Sequence, residues 1–124
     1  MRFLLDTDIC IYLLTDAYPL LTARVGECDE GSIGASSITF AELSHGLANG
    51  KLPPPPALDG FVGEVQICPF DEAAARAYAT LPFRGGRFDR LIAAHALALG
   101  VTLVTNNPRD FGDIPNLTVA NWTK

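Results

Sequence analysis

Short apolar runs that end in polar residues and alternate with helical patterns limit the fold of this chain more than any other feature. Residues 3–5 form such a run, which ends at Asp6 and is followed by apolar residues at helical spacing. We predict strands at residues 3–5, 33–38, 65–68, 101–104 and 117–120, and helices directly after Asp6 and at 19–25, 40–47, 71–81 and 89–99. Strands that alternate with helices in this way predict an α/β fold whose parallel sheet is covered on both faces.

The size and composition of the chain predict one domain, residues 1–124, with its own apolar core, since 48% of the residues are hydrophobic. The longest stretch without a charged side chain, residues 91–108, contains His95 and Gly100 and is too polar to span a membrane. Near the start, Asp6 and Asp8 interrupt the sequence before a signal-peptide apolar region could form. The three cysteines show no metal-type spacing, which predicts reduced thiols and a cytoplasmic protein.

Four acidic residues follow, or nearly follow, predicted strands: Asp6, Glu42, Asp89 and Asp110. Polar groups that come directly after parallel strands gather outside the carboxyl edge of the sheet. Carboxylates that meet there repel one another unless a cation lies between them. Since the ligands are oxygens, without a His and Cys set, the pattern favours a hard ion, Mg²⁺ or Mn²⁺.

The negative charge of the chain limits how such a site could bind phosphates. The formal net charge is −5, whereas proteins that hold nucleic acid by charge alone are normally basic. If the protein handles phosphates, a bound divalent metal is the obvious source of positive charge. A carboxylate-bound Mg²⁺ keeps open positions for phosphate, which indicates phosphodiester hydrolysis by metal-activated water.

Each acidic residue also has a structural interpretation. Asp89 could complement the N-terminus of the helix that it opens. Glu42 lies three residues after Thr39, which forms a good capping box and is the favoured interpretation of Glu42 taken alone. Asp110 lies among turn-forming residues. Asp6 is the hardest to explain in this way, because an acid that closes an apolar strand has little structural use.

Four segments surround these acids: LLDTDI at 4–9, TFAEL at 39–43, FDRLIAAHAL at 88–97 and LVTNNPRDF at 103–111. In this order, and with VANW at 119–122, they resemble the motifs of PIN-domain proteins, specifically the VapC-type toxins of bacterial toxin–antitoxin pairs. The resemblance implies a three-layer α/β/α sandwich on a small parallel sheet. It also implies an Mg²⁺- or Mn²⁺-dependent endoribonuclease that cleaves RNA and inhibits translation.

By the same resemblance, Asp6, Glu42 and Asp89 match the core acidic positions, which bind the metal and place the attacking water. Many relatives carry an acid where Asn107 stands, and Asp110 is the nearby acid that could substitute for it. The site could therefore hold one metal or two. Thr7 and Thr105 lie beside these acids and either hydrogen-bond to the carboxylates or cap helices.

Basic residues concentrate near Asp89: Arg84, Arg87 and Arg90 lie within seven positions. We predict that they contact substrate phosphate and offset the acidic chain locally, the alternative being an ordinary solvated loop. The two histidines and Tyr12 are not predicted to take part in the chemistry. His95 and Tyr12 are expected to be packing residues, and His45 is expected to be structural or to lie at the rim.

The resemblance also implies partners. A small VapB-type antitoxin would mask the acidic groove with an inserted basic side chain. The toxin would form a homodimer, and its substrate would be RNA. Two other functions remain open at this point. One is a metal-dependent phosphatase that acts on small phosphoesters on a similar sheet. The other is a non-catalytic PIN-like module that binds RNA or a partner, against which the intact acidic set argues.

Overall fold

A parallel sheet forms the centre of the fold. The computed structural model describes residues 1–50, 60–61, 63–82 and 88–124. Within them the strands are β1 (Phe3–Leu5), β2 (Ile33–Ser36), β3 (Gln66–Cys68), β4 (Thr102–Val104) and β5 (Val119–Ala120). Their order is β3-β2-β1-β4-β5, and every neighbouring pair is parallel. β1 is therefore the central strand, with Leu5 paired to Ala35 on one side and to Val104 on the other.

Helices connect the strands, as predicted. They are α1 (Thr7–Leu14), α2 (Pro19–Glu27), α3 (Ser37–Ala48), α4 (Glu72–Ala79), α5 (Asp89–Leu99) and a 3₁₀ turn (Pro108–Phe111). The side chain of Asp71 caps α4 by accepting from the Ala74 amide at 3.0 Å, the predicted cap. Gly100 ends α5 in the left-handed conformation at φ 69°.

Several predicted boundaries were wrong by one to three residues, and two of these differences are informative. Helix α2 continues through Gly26 to Glu27 instead of stopping before the glycine. Strand β2 ends at Ser36, two residues earlier than predicted, because the Ser36 hydroxyl accepts from the Ile38 amide at 3.1 Å and starts α3 there. This second difference moves Glu42 from the first turn of α3 into its second turn.

Apolar side chains cover both faces of the sheet. Leu5 and Val104 point into a core shared with Ile9 and Leu21 of α1 and α2. Their neighbours Leu4 and Leu103 point the other way, into a second core that includes Ile92, Ala93 and Ala96 of α5. Alternate residues of one strand face opposite sides of a sheet, so both faces must be covered. The predicted three-layer α/β/α arrangement is confirmed.

The structure also describes the cysteines and the lengths of the helices. All three cysteines are unpaired: Cys10 and Cys68 are buried, and Cys28 is half-buried. In the part of the chain that the structure describes, no helix is both long enough and apolar enough to cross a membrane.

Candidate active site

Asp6 directly follows β1, at the carboxyl edge of the sheet, and only 8% of it is exposed. Its Oδ1 accepts from the Ile9 amide at 2.9 Å and caps α1, so the expectation that this acid has little structural use was wrong. The Thr105 hydroxyl accepts from the Asn107 amide at 3.1 Å and donates its hydrogen to the Asp6 carboxylate. Asp6 is therefore held from two sides, by α1 and by the end of β4.

The environment of Asp6 opposes its ionisation. Burial is the main cause that raises its pKa from 3.8 to about 6, and the charges of Asp8 and Asp89 raise it further. The hydrogen bonds from Thr105 and from the Ile9 amide lower the pKa but do not offset burial. A buried carboxylate beside two like charges is the arrangement that a bound cation would relieve.

Glu42 is not a capping residue. Ser36 caps α3, whereas Thr39 lies inside the helix, is buried, and has its hydroxyl 3.2 Å from that of Thr7. The Thr7 hydroxyl donates to Glu42 Oε1 at 2.6 Å, which joins the start of α1 to the second turn of α3. Burial, and then the charges of Asp89 and Asp8, raise the pKa of Glu42, while the Thr7 hydrogen bond lowers it. The interpretation of Glu42 as part of a capping box was wrong.

Asp89 begins α5 and is half-buried. Its charge raises the pKa of both Asp6 and Glu42, so Asp89 acts electrostatically on the other two core carboxylates predicted from the sequence. Asp8, which is exposed on the first turn of α1, acts on the same two groups. Sequence reasoning did not place Asp8 at the site. Its position two residues after Asp6 was the signal that could have placed it at the site.

The donor set fits a hard cation by its chemistry, since every donor is a carboxylate oxygen and the charges repel one another. In the described ranges, however, no three His, Cys, Asp or Glu side chains already form a group that could hold a metal ion.

Asp110 and Asn107 pair with each other at the exposed 3₁₀ turn after β4. Asn107 Nδ2 donates to Asp110 Oδ2 at 2.7 Å, and both side chains are exposed. Among the described residues, the charges that raise the pKa of Asp6 are those of Asp8 and Asp89, and Asp110 is not one of them. The predicted fourth position is therefore an exposed pair of side chains, Asn107 and Asp110, that bind each other.

Arg90 does not have the predicted role in phosphate contact. It is 7% exposed, and its two terminal nitrogens bind both carboxylate oxygens of Asp113, at 3.0 and 2.9 Å. The same nitrogens donate to the carbonyls of Pro82 and Asp110, at 3.1 and 3.3 Å. Because these four bonds use its terminal donors, Arg90 anchors the 3₁₀ segment to α5. The other two predicted phosphate contacts, Arg84 and Arg87, lie outside the described residues.

The histidines lie where the helical spacing placed them. His95 is 1% exposed, its Nδ1 is 2.8 Å from Ser36 Oγ, and its ring stands edge-on to Phe70, so it is a packed histidine as predicted. Burial lowers its pKa. His45 lies at the rim of an open groove of about 460 Å³ that borders the site and is lined by Ile38, Ala41, Glu42, His45 and Phe88.

Comparison with known proteins identifies the family. Residues 3–117 match the family model described as PIN domain. The chain belongs to the PIN-domain family. Among its relatives, the tRNA(fMet)-specific endonuclease VapC of Shigella flexneri is 32% identical over 99% of both chains. Ribonuclease VapC2 of Rickettsia felis is 35% identical over the full length of both.

Solved structures of similar PIN-domain proteins have the same fold. VapBC2 from Rickettsia felis, bound to a DNA fragment from its promoter, superposes with a TM-score of 0.87 at 32% identity, over 98% of this chain and 99% of that one. DNA-bound VapBC from Salmonella typhimurium superposes with a TM-score of 0.84 at 30% identity, over 98% of each chain. The resemblance to VapC-type PIN-domain proteins seen in the sequence motifs is thus confirmed over nearly the whole chain.

Proposed function

We propose that this PIN-domain protein is a metal-dependent endoribonuclease toxin that inhibits translation and is neutralised by a cognate VapB-type antitoxin. One observation carries the proposal: the charges of Asp89 and Asp8 raise the pKa of both Asp6 and Glu42, two partly buried carboxyls at the carboxyl edge of the sheet. Partly buried carboxyls whose pKa values are raised by burial and by neighbouring like charges are typical of a functional site. The family and its ribonuclease members supply the reaction class.

Asp6, Glu42 and Asp89 are the residues that would hold Mg²⁺ or Mn²⁺. When bound, such an ion supplies charge neutralisation at the scissile phosphate and a water of lowered pKa. Thr105 holds the Asp6 carboxylate and Thr7 holds Glu42, so each of these two acids has a hydroxyl that fixes its orientation. Asp8 adds negative charge at the same edge, which strengthens attraction for a cation. Asp110 and Asn107, whose side chains pair with each other after β4, are the candidates for the fourth position.

RNA cleavage by the purified protein tests the proposal. A tRNA pool is the first substrate to test, because the Shigella flexneri relative is named as specific for tRNA(fMet). We expect discrete fragments with Mg²⁺ or Mn²⁺, none with EDTA, and none from Asp6→Asn, which keeps an oxygen for the α1 cap. Any co-purified antitoxin must be removed first. Metal-independent cleavage, or equal cleavage by the variant, would contradict the mechanism.

The same preparation separates the two other functions. A phosphatase would turn over p-nitrophenyl phosphate and leave RNA intact. A non-catalytic module would bind labelled RNA equally well with Mg²⁺ and with EDTA and would cleave neither substrate. Either result from folded, antitoxin-free protein would replace the endoribonuclease proposal.

The proposed partners are an antitoxin and a second copy of this chain. Both solved relatives described above are VapBC complexes, which supports an antitoxin partner. A basic side chain of the antitoxin would meet the carboxylates of Asp6, Glu42 and Asp89. Light scattering on the toxin alone tests the homodimer, and loss of RNA cleavage on titration with the co-encoded antitoxin tests neutralisation.

A further inference from the structure

Tyr12 joins two of the segments that build the acidic site. It lies one helical turn after Asp8 on α1, and its phenol oxygen accepts from Asn106 Nδ2 at 3.0 Å. Asn106 belongs to the loop that follows β4, two residues after that strand ends. The contact therefore bridges the helix that begins after Asp6 and the loop that begins at Thr105.

The position of the Tyr12 ring is well determined by packing. The ring meets that of Tyr18 edge-on, with centroids 4.8 Å apart and planes at 67°. Tyr12 also packs against the apolar core formed by α1 and α2. The side chain is half-buried, and its hydroxyl reaches Asn106 in the loop after β4, at the carboxyl edge of the sheet. Sequence reasoning treated Tyr12 as a packing residue, which describes the ring but not the hydroxyl.

The direction of the hydrogen bond decides what the hydroxyl can do. An amide nitrogen only donates, so the Tyr12 oxygen is the acceptor and its own hydrogen remains to be donated. No acceptor for this hydrogen is found in the described part of the chain. Burial, and then the charge of Asp8, raise the pKa of the phenol, which keeps it protonated. Tyr12 is thus a neutral donor beside an acidic cluster, in a chain of net charge −5.

We propose that Tyr12 donates its hydroxyl hydrogen to a non-bridging oxygen of the RNA phosphate that binds at the acidic site, with Asn106 holding the phenol in place. The inference rests on the proposed endoribonuclease function. A neutral donor contacts the phosphate without adding to the negative charge that already repels RNA from this edge. Hydrogen bonds to charged acceptors are stronger than those between neutral groups, so a single donor here has a measurable effect.

Tyr12→Phe and Tyr18→Phe form a matched pair for the test. Both remove one hydroxyl from the same edge-to-face pair of rings, but only Tyr12 bonds to Asn106. We expect Tyr12→Phe to lower kcat/KM for RNA cleavage about tenfold, which corresponds to about 1.4 kcal/mol. Tyr18→Phe should cleave at the wild-type rate. Thermal unfolding of both variants checks that the fold is intact.

Phosphorothioate substrates locate the contact. Sulfur is a poorer hydrogen-bond acceptor, so placing it at the contacted oxygen should remove the advantage of the hydroxyl. We expect the effect of Tyr12→Phe to fall below about threefold on one diastereomer and to stay near tenfold on the other. An equal effect on both diastereomers and on the unmodified RNA would indicate a structural role and overturn the inference.

Failure of the inference can be told apart from failure of the proposed function. If wild type and Tyr18→Phe cleave RNA and Tyr12→Phe cleaves equally well, the hydroxyl contact is wrong and the endoribonuclease stands. If neither wild type nor Tyr18→Phe cleaves any RNA with metal present, the proposed function fails and takes the inference with it.

Discussion

Replacing Asp6 with asparagine should stabilise the fold while it removes a residue of the proposed active site. The carboxyl is buried, and its pKa is raised from 3.8 to about 6 in the folded protein. The two values differ by about 2, which corresponds to about 3 kcal/mol. The ionised carboxylate therefore costs the folded state about 3 kcal/mol at neutral pH when no cation is bound. Asparagine keeps an oxygen that can accept from the Ile9 amide, so the α1 cap survives.

The sign of the pH dependence follows from the raised pKa. The protonated carboxyl is favoured in the folded state, so the stabilisation is complete below pH 3.8 and is lost as the pH rises through about 6. Urea unfolding of both proteins in EDTA, followed by circular dichroism between pH 4 and pH 8, measures it. We expect Asp6→Asn to raise the free energy of unfolding by about 2 to 3 kcal/mol at pH 8 and by almost nothing at pH 4.

Asp71→Asn is the matched control. Asp71 makes the same type of capping bond, to the Ala74 amide at 3.0 Å, but on the exposed surface. Because asparagine caps helices about as well as aspartate, that variant should change the free energy of unfolding by less than about 0.5 kcal/mol at either pH. Asp6→Asn that is no more stable than wild type at pH 8, or equally stabilised at both pH values, would refute the argument from burial.

Three further predictions concern the metal, the Thr7 bond and Arg90. Mg²⁺ should raise the melting temperature of wild type but not of Asp6→Asn, with EDTA reversing the gain, because ligands that bind only the folded state stabilise it; equal gains in both would place the ion elsewhere. Thr7→Val should lower kcat/KM for RNA cleavage about tenfold, with most activity recovered in Thr7→Ser, because the bond to Glu42 is lost and then restored. Arg90→Ala should cost about 3 kcal/mol in urea unfolding, since it removes the buried guanidinium that binds Asp113 and two carbonyls. Arg76→Ala, which removes an exposed ion pair with Glu72, should cost less than about 0.5 kcal/mol, and similar losses in both variants would contradict the anchoring role.

Local patterns in the sequence were sufficient to predict the secondary structure, the type of sheet and the candidate carboxylates. The spacing of apolar residues located strands β1 to β5 and helices α1 to α5. This spacing depends only on neighbours a few positions away in the sequence. The alternation of strand and helix was sufficient for a parallel sheet with two covered faces. The rule that polar groups gather at the carboxyl ends of parallel strands then singled out Asp6, Glu42, Asp89 and Asp110, and the resemblance to PIN-domain motifs made the first three the core set.

The tertiary structure decided what those residues do. Glu42 fits a capping box by its spacing from Thr39, but in the fold Ser36 caps α3 and Glu42 accepts from Thr7, 35 residues away. Arg90 belonged by position to a basic cluster, and only its pairing with Asp113 shows that its donors are occupied. Burial and charge interactions depend on segments that are distant in the sequence, so local spacing cannot report them. The sequence could therefore identify the candidate carboxylates, whereas the raised pKa values of Asp6 and Glu42 are a property of the fold.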